Sequence, residues 1–111
     1  MSESEPRLPA ALWIEACLRR LDGEGVPYYI VQKGAYAGGT VLLKINGLEN
    51  GCRLLLQQRD LNGRLGWSAA LKEEIVPELK ADDYIRRAAA RDPDLWVIEV
   101  EDRQFRNPFE I

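Results

Sequence analysis

A chain of 111 residues, 46% hydrophobic and 30% charged, has apolar residues enough for one modest core and is too short to build two. Its net charge of −3 opposes a polyanionic partner at long range. With no histidine it lacks the side chain best suited to proton transfer near neutral pH, so imidazole-based serine or cysteine triads and histidine-ligated zinc sites are excluded.

Residues 1–7 are polar and charged, with nothing to bury, and read as a flexible leader. The acids Glu3 and Glu5 set it apart from a secretory signal. The apolar run from Leu8 to Ile14 is broken by Pro9 and falls far short of the roughly 20 residues that span a bilayer. A cytoplasmic protein that enters no membrane is the expectation. From Pro9 onward, Ala10, Trp13, Ile14, Cys17, Leu18 and Leu21 recur at three- and four-residue spacing, which predicts a helix ending near Gly23. On its polar side, Glu15 and Arg19 are placed to pair.

Four segments rich in β-branched and aromatic residues follow: Val26 to Lys33, Thr40 to Asn46, Cys52 to Gln58 and Leu65 to Leu71. Gly34, Gly38, Gly39 and the dipeptides Asn46-Gly47, Asn50-Gly51 and Asn62-Gly63 separate them and predict hairpin connections, hence an antiparallel meander. After Pro77 a second helical stripe runs through Ala81, Tyr84, Ile85, Ala88 and Ala89. Acids lead and arginines trail on its polar side, with Asp82 spaced to pair with Arg86 and Asp83 with Arg87. Pro93 stops this helix and a last strand starts at Leu95. From Gln104 the chain is irregular, and Phe105 and Phe109 are expected to fold back onto the body.

These elements predict an α+β fold: an antiparallel sheet of about five strands with two helices packed mainly on one face, spanning residues 8–103, with 104–111 as a packed tail. Val41-Leu42-Leu43-Lys44-Ile45 and Leu54-Leu55-Leu56 put apolar residues on both sides of their strands, so apolar surface is expected on the open sheet face. Cys17 and Cys52 are too few for a disulfide scaffold and read as core thiols. Trp13, Trp67 and Trp96 read as core aromatics whose indole N–H groups find a carbonyl or water.

The segments Leu12-Trp13-Ile14-Glu15-Ala16, Val41 to Asn46, Gly66-Trp67 and, above all, Asp92-Pro93-Asp94-Leu95-Trp96 through Arg103 resemble domain of unknown function family 1491, over roughly residues 7 to 103. The resemblance implies a cytoplasmic, bacterial, single-domain protein. It brings no activity, cofactor or catalytic residue to carry onto this chain.

Chemistry concentrates on the last strand. Glu99 and Glu101 point to one side, Asp102 to the other, and Arg103 returns to the first. The acids Glu99 and Glu101 are expected on a solvated strand face, paired across the sheet with Lys44 or Arg53, and Lys44, Arg53, Glu99, Glu101 and Arg103 are the residues expected to orient a bound partner against the apolar sheet face. The competing reading is a carboxylate-held Mg²⁺ or Mn²⁺ at Glu99, Glu101 and Asp102, in an enzyme acting on a phosphorylated or nucleotide substrate. A lysine nucleophile also remains open, without a motif. The loop Gly34 to Gly39 opens no helix and matches no phosphate-binding spacing. Residues 33–64 are rich in Lys and Arg, and residues 92–111 carry six acids against Arg103 and Arg106. That asymmetry favours self-association or a protein partner over nucleic acid, although the basic stretch lies close to Tyr28, Tyr29, Tyr36 and Trp67. The expected role is a non-catalytic binding or assembly module, as a homodimer or with a protein partner, and without a cofactor.

Overall fold

The computed structural model describes residues 8–59 and 61–110, so the leader expected over residues 1–7 lies outside the described residues. Helix α1 (Ala10–Glu24) is followed by strands β1 (Tyr28–Gln32), β2 (Val41–Asn46), β3 (Cys52–Arg59) and β4 (Leu65–Ala69), then helix α2 (Glu78–Arg91) and strand β5 (Trp96–Glu101). The element order is the one the sequence predicts. A short 3₁₀ turn, Leu48–Asn50, links β2 to β3. Of the three Asn-Gly pairs, only Gly51 and Gly63 take a positive φ, while the Asn46-Gly47 turn puts it on Leu48.

The sheet has the order β1-β5-β2-β3-β4. β2, β3 and β4 form the expected meander, but β5 inserts between β1 and β2, antiparallel to the first and parallel to the second. The sheet is therefore mixed, not purely antiparallel. A parallel neighbour needs a long crossover, and α2 supplies it. The central place of β5 follows from Trp96-Val97-Ile98, which are apolar on both faces and buried.

The helices do not share a face. Ile14, Leu18 and Leu21 of α1 pack with Val41, Leu43, Ile45, Leu55, Ile98 and Val100 on one side of the sheet. Ile85 and Ala88 of α2 pack with Leu42, Leu54 and Val97 on the other. Alternation along β2 explains this, because every one of its six residues is buried, odd positions under α1 and even positions under α2. The apolar surface expected on an open face is thus largely covered.

Phe109 stands edge-on to Trp13, with ring centroids 5.4 Å apart, and stacks on Trp67 at 5.6 Å. It fills the gap between α1 and β4 on the α1 face. Asp102 anchors the turn that starts this segment: its carboxylate accepts from Arg106 Nε at 2.7 Å and from the Gln104 N–H at 2.9 Å. Burial opposes ionisation of Asp102, but Arg106 and the Gln104 N–H outweigh it and hold the carboxyl below its ordinary value. A depressed carboxyl contributes stability that is present above its unfolded value and lost as pH falls through the folded one. Asp102→Asn should therefore cost about 1 kcal/mol at neutral pH. In thermal melts followed as a function of pH, the difference from the parent chain should close as the pH falls below the usual carboxylate range.

Candidate functional site

The chemistry of the fold gathers on the α2 face, where Lys44 rises from the middle of β2 between Leu42 and Asn46. Lys44 is only 3% exposed. A buried ammonium is tolerated when its protons are taken up, and here three carboxylates surround it. Glu78 Oε2 and Asp82 Oδ1 of α2 each lie 2.7 Å from Nζ, and Glu99 Oε1 of β5 lies at 3.4 Å. Asn46 closes the network: its Nδ2 donates to Glu78 at 3.2 Å and Glu99 at 3.0 Å, and its Oδ1 accepts from the Leu48 N–H at 2.8 Å.

Backbone placement explains the convergence. Parallel pairing sets Lys44 beside Glu99 and Asn46 beside Glu101. Reciprocal hydrogen bonds between Val76 and Cys52, at 2.8 and 2.9 Å, pin the start of α2 to the start of β3. One residue later Pro77 opens the helix, and the four-residue step from Glu78 to Asp82 presents both carboxylates on one side of it. Burial alone would lower the value of Lys44, but its hydrogen bonds to Asp82 and Glu78 and the charge of Glu99 win and raise it well above normal. An ammonium held that firmly is no nucleophile.

The structure brings together some of the predicted residues and separates others. Lys44 and Glu99 meet as predicted, but beneath α2 and not on a solvated face; Glu101 shares their side of the sheet. Arg53 pairs in register with Ile45 and so lies on the α1 face, where its Nη1 donates to the Phe105 carbonyl at 3.1 Å. Arg103 falls beyond β5 and pairs with Glu49 at 2.7 Å. Lys44 and Arg53 therefore form no common basic surface, and Trp67 is engaged with Phe109 and is no free stacking platform. The three carboxylates considered for a cation do not converge, since Asp102 is taken by Arg106. Among the described residues no group of three or more potential ligand side chains is placed to hold a metal ion.

Glu78 and Asp82 are the members that sequence reasoning missed. Asp82, predicted to pair with Arg86, turns to Lys44, and both Arg86 and Arg87 pair with Asp83. The exposed Glu15–Arg19 pair forms as predicted, at 3.5 Å.

Beside this network runs an open groove of about 630 Å³. Its floor is Lys44 and Glu99, one wall is α2 with Glu78, Asp82, Ile85 and Ala89, and the other is β1 with Val31 and Gln32. A bulge at Val31 on the edge strand β1 shifts the register there. Tyr29, paired with Glu99, faces the same side and is 54% exposed; Val31 is 51% exposed. Among the described residues no helix is long and apolar enough to cross a membrane.

Residues 8–110 match the family described as "Protein of unknown function (DUF1491)". A crystal structure of a DUF1491 family protein from Caulobacter crescentus CB15 is similar at 33% identity and a TM-score of 0.79, covering 93% of this chain and 94% of that one. An NMR structure of a DUF1491 family protein from the same organism gives 33% identity, a TM-score of 0.74 and 91% coverage of each chain. The solution structure of protein Atu0922 from A. tumefaciens, at 20% identity, a TM-score of 0.69 and 86% coverage of each, shares the fold. No curated protein matches. The match along nearly all of the described chain, and the agreement in fold, make this protein a member of the DUF1491 family.

Proposed function

We propose that this is a cytoplasmic, non-catalytic binding module whose docking site is the groove between α2 and β1, and whose ligand is a segment of a partner protein. One observation carries the reading: α2 covers β2 and β3 and reaches Val97 of β5, but leaves the edge strand β1 open, with Tyr29 and Val31 presenting apolar surface there. The self-association expected from a bare sheet face is the second reading, because α1 and α2 cover opposite faces and leave only the groove for it.

Amphipathic peptides titrated into the protein should shift the backbone amides of Tyr29, Val31, Gln32 and Ile85, and Val31→Asp should abolish the response. Shifts confined to other surfaces would reject the groove. Added Mg²⁺ or Mn²⁺ should leave the melting temperature unchanged; a metal-dependent rise would revive the carboxylate-metal enzyme instead.

A further inference from the structure

The groove has a sign as well as a shape. Three carboxylates around one ammonium leave two negative charges over at its floor, and all three contacts of Lys44 are made inside the protein. Asn46 adds donors to two of those carboxylates, yet Glu78 and Asp82 remain about half exposed and turned toward the opening. Arg86, at the rim, shares Asp83 with Arg87, and the single positive charge left by that trio is smaller than the two negative charges left around Lys44. Above and beside these charges the surface is apolar: Val31 and Tyr29 on the strand side, Ile85 and Ala89 on the helix side.

A charged floor between apolar walls fits a long side chain whose stem is hydrocarbon and whose tip is a cation. We infer that the partner segment is a basic amphipathic helix that lays an apolar stripe against Tyr29, Val31 and Ile85 and directs a lysine or arginine from that stripe at Glu78 and Asp82. This rests on the groove reading above and adds the chemistry of the occupant. Charge complementarity selects it: an acidic segment would bring like charges together at the floor, and a neutral one would leave the surplus carboxylates facing a dehydrated surface. The helix-in-groove mode supplies the spacing, with anchors three, four and seven residues apart on one side of the helix.

The probes are three synthetic helical peptides with the same leucine stripe and a central arginine, glutamine or glutamate. Amide shifts in the full chain give the site, and calorimetry gives the affinity. The arginine peptide should bind in the groove at least roughly tenfold tighter than the glutamate peptide, with its advantage shrinking in high salt. Glu78→Gln, which keeps a hydrogen-bond acceptor for Lys44, should weaken the arginine peptide several-fold and leave the glutamine peptide unchanged. A melting curve checks that the variant is folded. Equal binding of the three peptides in the groove would overturn this inference and leave the docking site standing. Failure of every peptide to move the groove amides would overturn both.

Discussion

Lys44→Met should lower the stability of the folded protein by about 2–4 kcal/mol, read from denaturant unfolding with an unchanged slope. Methionine nearly matches the length of the lysine stem, so packing under α2 survives and the loss is electrostatic. Removing the ammonium leaves three carboxylates facing one another without their common partner. Glu78 and Asp82 are about half exposed and can turn to water, which keeps the loss below that of a fully buried triad. Glu99 has less freedom, because its side chain is 15% exposed and is fixed by β5 at the sheet centre. Pairing Lys44→Met with Glu99→Gln should therefore recover at least about 1 kcal/mol relative to additivity. Strict additivity would show that Glu99 is not coupled to Lys44 and that the network is held together by α2 alone.

The same network shows how far the sequence could be read. Periodicity found both helices and all five strands, because each has an apolar pattern of its own. The leucines on both sides of β2 and β3, read as apolar surface left on an open face, are instead covered on both faces, because the helices do not sit together. Strand order was less legible. Glycine-rich connections suggest hairpins, but whether β1 lies beside β2 depends on where a strand more than 60 residues along the chain from β1 comes to rest, and only the apolar core of β5 hinted at the centre.

The site was legible only in half. Lys44 and Glu99 could be paired from strand patterns, but Glu78 and Asp82 lie 34 and 38 residues from Lys44 in sequence. Within α2 the local rule offered Arg86 to Asp82, and a tertiary contact with a buried ammonium prevailed over an exposed i,i+4 pair worth a fraction of a kcal/mol. The usable clue was a lysine within Val41 to Ile45, a stretch otherwise apolar on both faces, since such a residue requires acids from another element.

Trp96→Ala should be the most damaging single change, costing about 3–5 kcal/mol. Trp96 is the end of the Asp92-Pro93-Asp94-Leu95-Trp96 segment, and its surroundings show what that segment does. Its indole Nε1 donates to the Ala35 carbonyl at 2.8 Å, its backbone N–H to Thr40 at 2.8 Å, and the Asp94 carbonyl accepts from the Ala35 N–H at 3.0 Å. The glycine-rich loop is thus clamped to the start of β5, and its Tyr36 and Ala37 carbonyls in turn accept from the first N–H groups of α1 at 3.0 and 3.3 Å. Those carbonyls take up donors that the helix cannot satisfy itself, so the loop serves as a structural cap and not as an anion cradle. A Cβ at Gly34 or Gly39 would lie 2.6 or 2.8 Å from Trp96 Cδ1 and would also meet the Asp94 carbonyl, so both glycines are required by close approach. Truncating the indole empties the centre of this three-way junction and unties α1, the loop and β5 together. Trp96→Phe keeps most of the packing and loses the Nε1 bond, so it should cost only about 1–2 kcal/mol. If the phenylalanine variant proved as unstable as the alanine one, the indole hydrogen bond, not the ring volume, would be what holds the junction.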